Sequence, residues 1–196
     1  YMTLCHNGDN DICDSARGHA EHGGLSAFGQ EVVREMNALG MMIDMSHAAE
    51  SSFYDALALS QAPIVCSHSS SRALCSHPRN LTDEQMKALA AQGGVAQVTL
   101  YHGFLRHEGE ATVLDALDHL HHMVQVMGPE HVGIGTDFDG DGGVRGLKDA
   151  SELIGFTRQL LRRRYSESDL QGIWGGNFLR VMRQVQSSAT SHLGLS

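Results

Sequence analysis

Several residue types and patterns are scarce in this sequence, and each scarcity excludes a class of protein. Only two of the 196 residues are lysines, and the net charge is −9 at pH 7. Nucleic acids and anionic membrane surfaces are bound by basic patches, so neither is an expected partner. No apolar run reaches about 18 residues, so no segment is predicted to span a membrane. No Gly-x-Gly-x-x-Gly motif follows a predicted strand, so dinucleotide binding is not expected.

The four cysteines do not form a recognisable framework. None has the Cys-x-x-Cys spacing of a thiolate zinc site. Cys5 and Cys66 fall in predicted buried strands, whereas Cys13 and Cys75 fall in loops, so no set of disulfides is predicted. No stretch has the pattern of a signal peptide. We therefore expect a reduced, cytoplasmic protein.

Short apolar runs alternate with helical patterns along the chain. Runs of about four to eight apolar residues between turn signals are typical of buried strands, and apolar residues at 3–4 spacing are typical of helices. Strands are predicted at 2–6, 41–46, 63–67, 94–101 and 131–136. Helices are predicted at 28–39, 51–59, 83–91, 113–126, 150–163, 167–173 and 177–186. Strands separated by helices form parallel sheets, so we expect an α/β fold. The length suits one domain over 1–186, followed by a polar tail over 187–196.

Four of the five predicted strands end on a titratable residue: His6, His47, His68 or Asp137. The carboxyl ends of parallel strands meet at one edge of a sheet, where the active sites of such folds are built. Neutral imidazoles are good zinc ligands, and a carboxylate beside the metal can accept a proton. We therefore predict a metal site at this edge.

Arg79 and the remaining histidines each allow a structural and a functional interpretation. Arg79 follows Pro78 and comes eleven residues after His68. A loop arginine is most often a solvated charge, but a guanidinium is also the natural clamp for a substrate carboxylate, and both interpretations stay open. The thirteen histidines are a compositional sign of metal chemistry. A surface or packing role is nevertheless expected for several of them: His19, His22, His102, His107, His119, His121, His122 and His192.

At these residues the sequence resembles the membrane (renal) dipeptidase family, zinc peptidases on an amidohydrolase-like (β/α)8 barrel. Five segments carry the resemblance, in the family's order: 1–7 (YMTLCHN), 40–47 (GMMIDMSH), 67–71 (SHSSS), 78–83 (PRNLTD) and 131–140 (HVGIGTDFDG). The resemblance extends to about Val185 and implies a TIM-type barrel that hydrolyses dipeptides. Family members are often dimers, so a homodimer is the oligomer that the resemblance implies.

The resemblance also implies a role for each candidate. His47 and His68 match ligands of one zinc ion in a binuclear pair. His6 matches a histidine that contacts the substrate carbonyl and stabilises the tetrahedral intermediate. Arg79 matches the arginine that binds the substrate's C-terminal carboxylate. Asp137 matches the acid that takes a proton from the bridging water and passes it to the leaving amine, with Asp139 ranked second.

The sequence departs from the family pattern in one respect. The family also needs an early His-x-Asp pair and a glutamate that bridges both metals, and neither is recognisable here. The match covers about the last five of eight β/α units, and five strands do not close such a barrel. We therefore expect a C-terminal portion whose partner is a missing N-terminal barrel segment, on the same or a clipped chain.

Two alternatives to a dipeptidase stay open at this point. One is another metal-dependent amidohydrolase, acting on N-acyl amino acids or cyclic amides. The other is a non-catalytic barrel fragment that serves as a binding or assembly module, an interpretation favoured by the absent ligands.

Overall fold

The five predicted strands form one parallel sheet. The structure, a computed structural model, describes residues 1–189. Along the sheet the strands lie in the order of the chain, β1 to β5. Their bounds are β1 Met2–Thr3, β2 Ile43–Asp44, β3 Val65–Cys66, β4 Val95–Thr99 and β5 Val132–Gly135. Each strand lies within its predicted apolar run but is shorter, because residues at one or both ends of the run lie outside the paired ladder.

The strand order distinguishes between the two common parallel architectures. A doubly wound sheet reverses its winding at a switch point, whereas a β/α barrel adds each strand beside the last. The described strands follow the second pattern throughout, and β1 and β5 each pair on one side only within residues 1–189. This arrangement is five consecutive units of a singly wound α/β fold.

The predicted helices are present with small changes at their ends. The helices are α1 Ala27–Leu39, α2 Glu50–Leu59, α3 Asp83–Ala91, α4 His102–Leu105, α5 Val113–Met127, α6 Leu153–Arg162, α7 Glu167–Gln171 and α8 Asn177–Ser187. The short α4 was not predicted, because four residues are too few to show a helical period. Thr82 caps α3: its hydroxyl accepts from the Gln85 amide, and the Gln85 side chain accepts from the Thr82 amide.

Two apolar clusters hold the sheet in place. The larger one packs the helices against the sheet and contains the fully buried Phe53, Leu120 and Phe156. The smaller one packs α8 against residues at or before the start of the middle strands, namely Met42, Ala62, Val65 and Val95. Helix α8 thus covers the amino-terminal end of the sheet and leaves the carboxyl end open.

A glycine allows two adjacent segments to approach closely at the carboxyl end. A Cβ atom on Gly135, the last residue of β5, would lie 1.8 Å from the Ser67 carbonyl oxygen. No side chain fits at that distance, which explains the second glycine of the Gly-x-Gly sequence inside this strand. The close contact brings the end of β5 beside the segment that carries His68.

Helix α8 ends at Ser187, and residues 190–196 of the predicted polar tail lie outside the described part of the chain. Among residues 1–189, none of the helices combines the length and the apolar character needed to cross a bilayer.

The larger cluster gives a stability prediction. Phe53 is 1% exposed, whereas Phe28 on the neighbouring helix is 55% exposed. Phe53→Ala should lower the free energy of unfolding by about 3–5 kcal/mol, because it removes apolar contacts and leaves a cavity. Phe28→Ala, the matched control, should change it by no more than about 0.5 kcal/mol. Urea unfolding followed by circular dichroism measures both, and equal effects would contradict this description of the core.

Candidate metal centre

The structure places four of the predicted site residues around one cavity. His6, His47, His68 and Asp137 each lie two or three residues beyond the end of a strand. All four line a cavity of about 870 Å³ at the carboxyl edge of the sheet, together with Asp139. Parallel strands explain this arrangement, because their carboxyl ends all lie at the same edge.

The three histidine rings form a contiguous cluster. The ring centroids of His6 and His47 are 4.3 Å apart, and those of His47 and His68 are 4.9 Å apart. The Nε2 atoms of His47 and His68 face each other at 2.8 Å. Two ring nitrogens from different strands therefore converge on one point.

The surroundings of the two converging histidines keep them neutral. Burial, followed by the nearby Arg79 cation, lowers the pKa of His47 to about 2. The same two causes, in the same order, lower the pKa of His68. A neutral imidazole has a free lone pair for a metal ion, so both side chains are in the form that a metal requires.

Hydrogen bonds on the far side of each ring orient these histidines. The Nδ1 atom of His68 lies 2.7 Å from the Ser67 hydroxyl, and that hydroxyl donates to Asp44 at 2.6 Å. The Nδ1 atom of His47 lies 3.2 Å from the side-chain oxygen of Asn7. Sequence reasoning missed these supporting residues. The available signal was Asp44, a carboxylate inside an otherwise apolar run, since such a group needs buried donors.

Two of the site residues have an unusual backbone conformation. His47 has a φ of 76° and Asp137 a φ of 58°, values that residues with a side chain rarely adopt. The Ala16 amide donates to the His47 carbonyl oxygen at 2.7 Å, and the Gly140 and Gly142 amides donate to that of Asp137 at 3.0 and 2.8 Å. Strained backbone held by its surroundings is concentrated at functional sites.

Arg79 lies behind the cavity rather than on its wall. Its side chain is buried, with the residue 3% exposed, and its Nη2 donates to the His68 carbonyl oxygen at 3.3 Å. Its Nε has no hydrogen-bond partner within the described residues, and the guanidinium lies 5.2 Å from the centroid of the Phe104 ring. Burial lowers the pKa of Arg79 to about 10, so the group is charged at neutral pH. It is a buried cation that forms no salt bridge with any carboxylate among residues 1–189.

A buried histidine outside the cavity holds the loop between His68 and Arg79. His119 on α5 is 1% exposed, and its Nδ1 accepts from the Ser71 amide at 3.0 Å. Its Nε2 is 3.1 Å from the Leu105 carbonyl oxygen, to which it donates. His119 therefore has a packing role, in agreement with the prediction for the histidines of this helix.

The converging pair fits part of a metal site. Two nitrogen ligands of a tetrahedral zinc ion are about 3.3 Å apart, so the two Nε2 atoms, which lie at hydrogen-bond distance of 2.8 Å, would separate by about 0.5 Å to hold one. Within residues 1–189, however, no three or more His, Cys, Asp and Glu side chains are grouped so that they could hold a metal ion alone. A zinc ion takes at least three protein ligands, so these two histidines are a partial donor set.

Known proteins resemble this chain in sequence. An uncharacterized dipeptidase of Schizosaccharomyces pombe is 41% identical over 193 residues, which cover 95% of this chain and 46% of that protein. The chain spans less than half the length of this and other curated relatives that it matches.

Solved structures resemble it in fold. The probable dipeptidase PvdM from Pseudomonas aeruginosa has a TM-score of 0.92 at 31% identity, over 95% of this chain and 62% of that one. A metallo peptidase from Rhodobacter sphaeroides, liganded with a phosphinate mimic of the dipeptide L-Ala-D-Ala, has a TM-score of 0.79 at 31% identity. That match covers 83% of this chain and 47% of the other. These neighbours confirm the predicted barrel-type α/β fold.

The family model described as membrane dipeptidase (peptidase family M19) matches residues 1–193. The match covers nearly all of the chain, including every strand of the sheet and every residue around the cavity. The resemblance drawn from the five motifs is therefore confirmed, and the chain belongs to the membrane dipeptidase family, peptidase family M19.

Proposed function

We propose that this chain is part of a zinc-dependent dipeptidase, and that its cavity is one half of the active site. The observation that carries this proposal is the convergence of His47 and His68 in a cavity that also holds His6 and Asp137. Membership of the dipeptidase family and the likeness to a metallo peptidase that binds a dipeptide mimic support it.

The metal-binding role falls to His47 and His68. Their neutral rings and converging Nε2 atoms suit zinc, which binds imidazole nitrogen readily. A zinc ion bound there would act as a Lewis acid and make water a nucleophile at neutral pH. A carboxylate and a second pair of ligands from outside the described residues would complete a binuclear site.

Two further side chains would move or stabilise charge during hydrolysis. Asp137 lies on the cavity wall, where its carboxylate can take the proton of the attacking water and pass it to the leaving amine. His6 is exposed at the cavity mouth and lies against the His47 ring. From there its imidazole N–H can donate to the carbonyl oxygen of the scissile bond as negative charge develops on it.

Arg79 would select substrates with a free carboxylate. A buried guanidinium without a counter-ion is unfavourable, and an incoming carboxylate would supply the missing partner. Among residues 1–189, the head group forms a single hydrogen bond, of 3.3 Å to the His68 carbonyl oxygen. Its free Nε donor can therefore turn toward a ligand beside His68.

The remaining part of the barrel would come from polypeptide outside this sequence. A TIM-type barrel needs eight strands, and the described residues supply five. The relatives are more than twice as long, and the match covers under half of each. We propose that a preceding segment, on the same chain or a clipped one, adds three strands and the absent ligands to the open edges at β1 and β5.

The cysteines support the proposal of a reducing compartment such as the cytoplasm. All four lie in the described part of the chain, and all are buried free thiols. Burial raises the pKa of the Cys66 and Cys75 thiols, which keeps them unreactive at neutral pH.

The zinc content of the intact protein distinguishes the proposed dipeptidase from a non-catalytic binding or assembly module. The intact protein should hold about two zinc ions, and His68→Ala should lose at least one, because a partial donor set would remain. His121→Ala is the control: this histidine lies on α5 and hydrogen-bonds to Tyr165, away from the cavity. Plasma emission spectrometry after dialysis gives the stoichiometry. If neither the unaltered protein nor the His121→Ala control holds zinc after zinc supplementation, the result would favour the assembly module instead.

Substrate charge tests the role of Arg79. The unaltered enzyme should prefer a dipeptide to the corresponding dipeptide amide, and Arg79→Ala should reduce kcat/KM for the dipeptide by about 10- to 150-fold, mainly through KM. That range is the loss of a hydrogen bond to a charged group, about 1.5–3 kcal/mol. Arg79→Ala should leave the amide nearly unaffected.

A surface arginine provides the control for that experiment. Arg145 pairs with Glu110 at 3.0 Å, and both side chains are largely exposed, so Arg145→Ala should leave both rates nearly unchanged. Steady-state assays should include an N-acyl amino acid. Turnover of that substrate alone would replace the peptidase proposal with another amidohydrolase, and an unchanged KM in Arg79→Ala would remove Arg79 from the site.

A further inference from the structure

A fully buried carboxylate lies beneath the metal-binding histidines and forms no contact with the cavity. Asp44 ends β2 and is 0% exposed. Its Oδ1 accepts from the Ser46 and Ser67 amides at 3.0 and 2.9 Å. Its Oδ2 accepts from the hydroxyls of Thr3 and Ser67 at 2.7 and 2.6 Å. All four contacts are donors, so the group acts as an acceptor-only carboxylate.

This arrangement determines where the Ser67 proton lies. The hydroxyl has one proton and two close partners, Asp44 Oδ2 at 2.6 Å and His68 Nδ1 at 2.7 Å. A carboxylate cannot donate, so the proton of Ser67 must point to Asp44. Ser67 Oγ then accepts from His68, which places the ring proton of His68 on Nδ1 and leaves Nε2 with a free lone pair.

The hydrogen bond on the far side of the His47 ring does not determine the tautomer of His47 in this way. His47 contacts the side chain of Asn7, whose amide can present either its oxygen or its nitrogen. Asn7 is therefore compatible with both tautomers of His47, and it is the 2.8 Å contact with the unprotonated Nε2 of His68 that makes His47 Nε2 the donor in the metal-free protein. Only His68 is committed to one tautomer by a chain of hydrogen bonds that ends on a buried charge.

We propose that Asp44 and Ser67 are positioning residues, which act together to keep His68 in the tautomer whose unprotonated Nε2 faces the metal position. This inference deepens the proposed function and depends on it only for the identity of the ion. Carboxylates that orient a metal-binding histidine through its other nitrogen are a general device for raising affinity. Here Asp44 orients His68 indirectly, through the hydroxyl of Ser67, which hydrogen-bonds to both side chains.

The variant Asp44→Asn should reverse the tautomer. The Ser46 and Ser67 amides are fixed donors and require the side-chain oxygen at the Oδ1 position. The new NH2 group then takes the Oδ2 position and donates to Ser67 Oγ. The Ser67 hydroxyl is left to donate to His68 Nδ1, so the ring proton moves to Nε2, where it blocks metal binding.

Two measurements on the intact protein test this proposal. Nitrogen-15 NMR of the histidine-labelled, metal-free protein reports the tautomer, with His68 assigned through His68→Gln. Competition with a chromogenic chelator reports the zinc dissociation constant. Asp44→Asn should move the His68 proton from Nδ1 to Nε2 and weaken zinc binding about 10- to 100-fold. Ser67→Ala should give a mixture of tautomers and a loss in the same range.

The control is Ser71→Ala in the same loop. Ser71 is also fully buried, but its hydroxyl has no hydrogen-bond partner within residues 1–189. Its removal should leave both the tautomer and the dissociation constant unchanged. Circular dichroism verifies that each variant is folded.

The outcomes separate this proposal from the proposed function. A folded Asp44→Asn that keeps the proton on Nδ1 and binds zinc within threefold of the unaltered protein overturns the positioning role. If that variant does not fold, an unchanged tautomer and affinity in Ser67→Ala overturns it. An unaltered protein that binds no zinc overturns the proposed function alone, because the NMR comparison still decides how His68 is oriented.

Discussion

The buried carboxylate of Asp44 joins the carboxyl ends of three strands directly beneath the site. A charge without exposure to water is strongly destabilising unless donors surround it, and hydrogen bonds to a charged group contribute about 1.5–3 kcal/mol each. The four donors of Asp44 come from the ends of β1, β2 and β3. The same set of contacts therefore joins three strands and holds the segments that lead to His47 and His68.

The protonation states of the site histidines follow from their burial and from the charged side chains near them. Burial and then the nearby Arg79 cation lower the pKa of both converging histidines. Burial also lowers the pKa of Arg79, and the charges of Asp44 and Asp137 partly offset that effect. Burial and the cation thus keep the rings neutral, although Arg79 forms no salt bridge among the described residues. Because burial and a neighbouring cation act in the same direction, the imidazoles stay available as ligands over the physiological range of pH.

The two ends of the sheet have different tasks. At the amino-terminal end, α8 packs Val181 and Val185 against the beginnings of the strands. At the carboxyl end, polar side chains and strained residues occupy the loops, and the cavity is open. In β/α barrels the amino-terminal face usually contributes stability, and the loops at the carboxyl-terminal face usually form the active site. It also explains how the loops can hold His47 and Asp137 at unfavourable φ values, since the sheet beneath them is well packed.

Much of the fold could be predicted because its signals are local. Apolar runs and helical spacing located all five strands and the longer helices, and strand ends marked His6, His47, His68 and Asp137. The motif segments around those residues were specific enough to indicate the family, which the comparisons confirm. The supporting roles of Asn7 and Ser67, in contrast, had no local signal, because they depend on which distant side chain each residue contacts.

Tertiary structure decided how these residues meet. His47 and His68 are 21 positions apart, and only the pairing of β2 with β3 directs their Nε2 atoms toward each other. The composition of the β2 segment was visible in the sequence, but the role of Asp44 depends on donors 41 positions before it and 23 positions after it. The sequence by itself determined which chemical groups stand at the strand ends, since strand and helix periods are properties of neighbouring residues. The folded chain alone decided their orientation, protonation and burial, because each depends on contacts between segments that are far apart in the chain.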